Sequence, residues 1–339
     1  RNALDQRPGS VQLRLDYAMA LNQKEDFEEA ERVLMQGLRR APDSIDLKSL
    51  LAYTLEGQKL WADALQMHSA AVRMPRVLSH HHISYARALL ACQRPDEALL
   101  QAKMGAMQMP FNQRAIAYLG LCWRLLGDEQ DAIINDYQEF IRVYDLPVPV
   151  RFAHTTEFNA QLGAILESLH IGKRHPPEQT LRGGTQTHGD LFDHREPEIQ
   201  ELVAGLKECL HDYVARLPHD ASHPLLSRRS SMYKFAASWS VRLWPRGYHT
   251  MHVHPLGWLS SAYYVQVPPE ITDSDANGGG IKFGEPDIDI GTQGAARRLI
   301  QPAVGRLILF PSYMWHGTVP FKSGTSRMTV AFDVVPAQE

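Results

Sequence analysis

The chain has 339 residues, 44% hydrophobic and 22% charged, with a formal charge of −3 at neutral pH. Those values fit a folded protein of about two domains and give no global attraction to nucleic acid or anionic membrane. The three cysteines, Cys92, Cys122 and Cys209, form no CxxC pair, which argues against a disulfide framework or a cysteine zinc site and fits a reducing cytoplasm. No apolar run is long enough to span a membrane, and the first residues do not read as a signal peptide. The first residue is Arg1 rather than Met, so the chain reads as part of a longer protein.

A period of 34 residues governs positions 1–147. Ala30, Ala64, Ala98 and Ala132 share one register; Ala18, Ala52, Ala86 and Gly120 share a second; Leu21, Leu55, Leu89 and Trp123 share a third. Prolines at 8, 42, 75, 110 and 147 punctuate the units. Small residues at fixed offsets let antiparallel helices approach closely, and proline starts or stops a helix at each boundary. The pattern resembles the tetratricopeptide repeat, here in four copies. The resemblance implies a helical solenoid whose concave face binds a peptide or protein segment, or else a spacer or assembly surface. Ser79 and the run His80, His81 and His82 are candidates for that face. Consecutive helical side chains diverge, so the histidine run predicts surface or repeat packing rather than a metal site.

Residues 148–231 break the period. Helical spacing begins at Asn159, and Pro197–Leu217 predicts a clear amphipathic helix. The polar stretch between them, KRHPPEQTLRGGTQTHGDLFDH, is expected to be either a pocket-lining lid or a plain surface loop.

From Met232 the texture becomes short β-branched and aromatic runs separated by Gly, Pro and Asn, as in a sandwich or barrel. Within it, GYHTMHVHPLGWLSSAYYV places His252 and His254 two apart, on one face of an extended strand. On a continuous strand His249 would face the other way. His316 follows LILFPSYMW and could return to the same pocket. Imidazoles on one face with open positions opposite suit iron, zinc or copper.

The segments PRGYHTMHVHPLGWLSSAYYVQVP, GGGIKFGEP, PAVGRLILFPSYMWHGTVPF and SRMTVAFDVV resemble the 2-oxoglutarate/iron(II) oxygenases of the prolyl-hydroxylase-like superfamily. That resemblance spans roughly 155–336. It implies a multidomain α plus β chain: repeats over 1–147, then an oxygenase domain over 148–339. The latter would comprise a helical lead-in, 148–231, and a double-stranded β-helix (jelly roll) core, 232–336. It further implies Fe(II) held by His252, His254 and His316, with O2 and 2-oxoglutarate as co-substrates. Arg327 would bind the distal carboxylate of 2-oxoglutarate, and Thr329 and Tyr264 would assist. Tyr263, the other member of the pair, would pack outside. Arginine suits that role because its planar fork binds a carboxylate bidentately.

The superfamily usually carries His-x-Asp or His-x-Glu where this chain has His254, so a carboxylate elsewhere, Asp287 or Asp289, is the alternative third ligand. Trp258, Phe283, Phe310 and Trp315 are expected to be core. The resulting activity would be hydroxylation of a peptide or protein side chain docked by the repeats. Oxidation of a small metabolite, with the repeats serving assembly only, and a non-catalytic scaffold with a decayed barrel are the alternatives. A zinc hydrolase is excluded by the absence of HExxH.

Overall fold

The computed structural model describes residues 4, 6–172, 180–273 and 278–337. The chain divides into two compact units, Arg1–Asp128 and Glu129–Glu339.

In the first unit, Val11–Asn22 (α1) pairs with Phe27–Arg40 (α2), Ile45–Gly57 (α3) with Trp61–Val72 (α4), and Ser79–Ala91 (α5) with Pro95–Gln108 (α6); Gln113–Leu126 (α7) follows. The first helix of each pair starts at a position that recurs every 34 residues. The Ser10 hydroxyl accepts from the Leu13 amide, Ser44 from Leu47, and the Asn112 side chain from Arg114 and Ala115. Each cap satisfies helix-start amides that lack an intrahelical acceptor. At the third such position stands Leu78, which cannot cap. There the chain uses His81, whose Nδ1 accepts the Leu78 amide at 3.1 Å.

The same period closes the first helices. The amides of Asp26, Leu60, Arg94 and Asp128 donate to the carbonyls of Leu21, Leu55, Leu89 and Trp123. That closure requires a left-handed residue just before it, and Glu25, Lys59, Gln93 and Gly127 take φ of 60°, 62°, 57° and 69°. Only Gly127 does so without a Cβ penalty. Ala18, Ala30, Ala52, Ala64, Ala86 and Ala98 are all fully buried where neighbouring helices meet.

The fourth repeat is truncated. Its second helix, Gln130–Ile134 (α8), has five residues and belongs to the second unit, and Ala132 is exposed despite standing in register. The sequence boundary at 147 therefore falls too late: Arg142–Asp145 (β1) is already a strand of the second unit's sheet. Periodicity along the chain continues to Ala132, whereas packing partners decide which unit a segment joins. Ser79, His81 and His82 are also not free surface. They are buried between helices, with Ser79 donating to the Gly105 carbonyl and His82 Nδ1 at 2.8 Å from Gln101; only His80 is exposed.

The second unit is a double-stranded β-helix flanked by helices. Its strands are β1, Leu181–Gln186 (β2), Tyr233–His249 (β3), Leu259–Gln266 (β4), Ile281–Phe283 (β5), Arg298–Ile300 (β6), Arg306–Pro311 (β7), His316–Thr318 (β8) and Arg327–Pro336 (β9). One sheet runs β1-β7-β4-β9-β3-β2 and the other β6-β5-β8, with antiparallel pairing throughout.

Thr155–Leu169 (α9) packs on the outer face of β4, where the Tyr263 hydroxyl donates to Asn159 Oδ1 at 3.0 Å. Pro197–Arg216 (α10) buries Ile199, Leu202, Leu206, Leu210 and Tyr213, the apolar stripe its spacing predicts. The polar stretch expected to be a loop is partly β2, which pairs with β3; residues 173–179 of it lie outside the described residues. Trp258, Phe283, Phe310 and Trp315 are buried core.

Candidate metal centre

Two chain segments far apart in sequence are stitched together at the site. The His252 and His316 backbones exchange hydrogen bonds in both directions, at 2.9 and 3.0 Å. The His254 amide donates to the Ser312 carbonyl at 3.0 Å. Between His254 and Gly257 the chain makes a tight turn, with the Gly257 amide returning to the His254 carbonyl. A Cβ on Gly257 would lie 2.2 Å from the Ser312 hydroxyl, so only glycine lets the turn sit against that segment. The result is that ligand atoms of His252, His254 and His316 all lie within 4.8 Å of one another.

Each ring is also fixed in tautomer. Nδ1 of His252 lies 2.8 Å from the Thr250 carbonyl and Nδ1 of His316 lies 2.9 Å from the Met314 carbonyl. Nδ1 of His254 lies 2.6 and 2.8 Å from the two oxygens of Asp333. All three partners accept only, so each Nδ1 carries the proton and each Nε2 keeps a lone pair for a cation. Burial holds His252 down to a pKa of about 3, helped by the neighbouring His254, and it holds His316 well below its ordinary value. Those two rings stay neutral and ready to ligate. Among the described residues no carboxylate joins this cluster, so neither Asp287 nor Asp289 completes it.

A second grouping, Asp46, His80 and His81, meets the same distance test but has the opposite tautomer chemistry. Because His81 Nδ1 accepts the Leu78 amide, its proton sits on Nε2 and points to Asp46 at 3.1 Å. No lone pair is left for a metal, and His81 serves as a helix cap whose other nitrogen donates to Asp46.

Beside the three histidines lies a small cleft of about 60 Å³, partly open to solvent. Its wall includes Arg327 and Thr329, two apart on β9, and Tyr264 from β4, which pairs with Thr329. Arg327 is 2% exposed, and burial pulls its pKa below the usual guanidinium value. One terminal nitrogen donates to the Gly279 carbonyl, but Nε has no partner and no carboxylate pairs with it among the described residues. Its charge centre stands 5.6 Å from the Tyr264 ring centroid. A buried cation without a counter-ion is costly, and an anionic ligand in the cleft removes that cost. At this burial Arg327 is not part of a surface ion pair.

Two further side chains at the site were not singled out by the sequence, and a third, His249, was expected to face away from it. Asp333 carries no motif signal beyond its place in the last strand. Trp239, on β3, stacks on His254 with centroids 5.8 Å apart. His249 also lines the cleft, against its expected parity, because β3 ends at that residue and the following segment is irregular.

Comparison with known proteins agrees with this geometry. Residues 237–333 match the family described as "Putative 2OG-Fe(II) oxygenase", and residues 1–52 match a tetratricopeptide-repeat family. The second unit is a 2-oxoglutarate/Fe(II) oxygenase domain. The first is a tetratricopeptide-repeat region, and the oxygenase uses an all-histidine facial triad. A crystal structure of a Pseudomonas putida prolyl-4-hydroxylase is 14% identical, matches 61% of this chain and 98% of its own, and gives a TM-score of 0.40. YrrB, titled a TPR protein with an unusual peptide-binding site, is 14% identical over 39% of this chain and 68% of its own, with a TM-score of 0.35. MamA is 15% identical over 39% and 77%, also at 0.35. No curated protein matches the chain. No described helix is long and apolar enough to cross a membrane.

Proposed function

We propose that the oxygenase hydroxylates a side chain of a peptide or protein segment held by the repeat region. The observation that carries the catalytic part is the pairing of three Nε2 lone pairs with a buried guanidinium that meets no carboxylate among the described residues, all in one cleft. Iron and 2-oxoglutarate, when bound, supply the oxidation of an unactivated C–H bond coupled to decarboxylation of the keto acid.

The protein's own groups orient and shield. His252, His254 and His316 would hold the metal on one face and leave the other open. Arg327 would anchor the distal carboxylate of 2-oxoglutarate, with the Tyr264 hydroxyl and Thr329 as neighbouring hydrogen-bonding groups on the same wall. Burial raises the pKa of the Tyr264 hydroxyl, which keeps it protonated and able to donate. Trp239, which lines the cleft and packs on His254, would meet the substrate.

Docking is supported by the face that successive first helices leave open. Gln12, Asp46 and His80 recur there at one offset, and Met19, Tyr53 and Arg87 at another. Met19 is 46% and Tyr53 50% exposed. In repeat arrays this face is the concave one that takes extended segments.

The test is capture of partners on the full chain, followed by a mass search for one added oxygen and by measurement of succinate. Tyr53→Ala is expected to lower both capture and peptide-stimulated succinate. Absence of 2-oxoglutarate turnover with every captured partner would remove the peptide-hydroxylase reading.

A further inference from the structure

Usual sites of this chemistry include a carboxylate ligand, which gives the metal one negative charge directly. Here the ligand in that place is His254, and three neutral imidazoles contribute none. The nearest negative charge on the His254 side is Asp333, whose two oxygens both accept from His254 Nδ1.

Asp333 is itself held from behind. The Ser260 hydroxyl donates to its Oδ1 at 2.7 Å, and Ser260 in turn lies 2.8 Å from the Ser312 hydroxyl. Ser312 is the residue whose carbonyl receives the His254 amide. Strand pairing explains the geometry: Asp333 faces Ser260 across β9 and β4, and it shares a strand face with Thr329 and Arg327. A single face of β9 thus carries a guanidinium at one end and a carboxylate at the other, with the cleft between.

We infer that Asp333 is the displaced carboxylate of this centre: acting through His254, it supplies the negative charge that a direct ligand would otherwise provide. This rests on the three histidines binding a metal. A hydrogen-bonded carboxylate makes the imidazole a stronger donor and fixes which nitrogen faces the metal, and such partners typically govern metal affinity by about tenfold to a hundredfold. With the charge restored, the metal, the dianionic keto acid, Asp333 and Arg327 sum to neutrality, as they do with a carboxylate ligand. The histidine at position 254 is then a relocation of charge by one residue rather than the mark of a decayed site. Asp333 is a positioning residue, since it touches neither metal nor substrate.

Cobalt(II) titration of the full, metal-free chain, followed by visible absorption, tests the inference without relying on turnover. Asp333→Asn is expected to weaken binding by about tenfold to a hundredfold. Nitrogen-15 spectra should show His254 losing its single Nδ1–H tautomer while His252 and His316 keep theirs. Ser260→Ala, a milder change behind Asp333, should weaken binding by a smaller factor in the same direction, and it serves if Asp333→Asn fails to fold. The double variant D333N/H254D, which returns a carboxylate to the ligand position, should bind more tightly than D333N alone. Wild-type affinity and an unchanged His254 tautomer in D333N and S260A would overturn the inference while leaving the oxygenase reading intact. Failure of the wild type to bind cobalt would overturn both.

Discussion

The two units solve the same problem, burying apolar surface, by opposite means. In the repeat unit one local arrangement recurs every 34 residues: a cap at 10, 44 and 112, a left-handed residue at 25, 59, 93 and 127, and alanines at the crossings. Every contact that defines it is made within a unit or with the next one. In the oxygenase unit nothing repeats, and the metal centre joins residues 252, 254, 316 and 333 through strand pairing alone. The difference teaches that periodic structure tolerates imperfect members, such as Leu78 in place of a cap. A convergent site has no second copy to fall back on.

The sharpest way to break this contrast is at the convergent site. His316→Ala removes one lone pair from the centre while keeping the backbone bridge to His252, and is expected to abolish metal binding and succinate formation. Persistence of stoichiometric cobalt(II) binding in that variant would contradict the triad.

Next in size is Arg327→Met, for which two effects of opposite sign are expected. The KM for 2-oxoglutarate should rise by about two orders of magnitude, as for loss of a buried charge partner. The ligand-free protein should gain about 1 kcal/mol, because an uncompensated buried cation has been replaced by an apolar side chain. Thermal melts with and without 2-oxoglutarate separate the two effects.

Acid should act on the second unit through its buried histidines. An unfolded histidine takes up a proton near pH 6.5, whereas folded His252 does so only near 3. The unfolded state therefore binds more protons between those values, and stability falls as the pH is lowered through that window. From pH 6.5 to 5 this one group costs roughly 2 kcal/mol, and His316 and His249, both also held down by burial, act with the same sign. Denaturant midpoints of the metal-free protein against pH measure the loss, and a flat profile across the window would contradict the buried neutral rings.

The smallest effects belong to the periodic unit. Glu25→Gly, Lys59→Gly and Gln93→Gly relieve a left-handed Cβ and should each stabilise by about 0.5–1 kcal/mol, while Gly127→Ala should destabilise by about 1 kcal/mol. Chemical denaturation of the single variants reads each change, and equal signs at Gly127 and Lys59 would break the shared-turn argument.

Much of this was legible before any coordinates. The 34-residue spacing of Ala18, Ala52 and Ala86 announces helix pairs, because small residues are needed where helices cross. His252 and His254 stood out because their spacing fits a shared cation. What was missed has a common cause. The early end of the repeat unit at Asp128 depends on which surface Ala132 finds to pack on, and it finds none. His249 enters the cleft because β3 stops, which no parity count reveals. Asp333 lies 79 positions from His254 and carries no local mark.

The amino-acid order by itself determined the helical repeat, the β-rich texture after Met232 and the shared face of His252 and His254, since each is written in short-range spacing; His316 joined them only through the family resemblance. Only the tertiary structure decided where the first unit ends, that Arg327 is buried with no carboxylate beside it among the described residues, and that a carboxylate stands behind His254. Those are facts of solvent exclusion and of strand-to-strand register. Both arise from residues brought together by the whole fold, and spacing along the chain does not encode them.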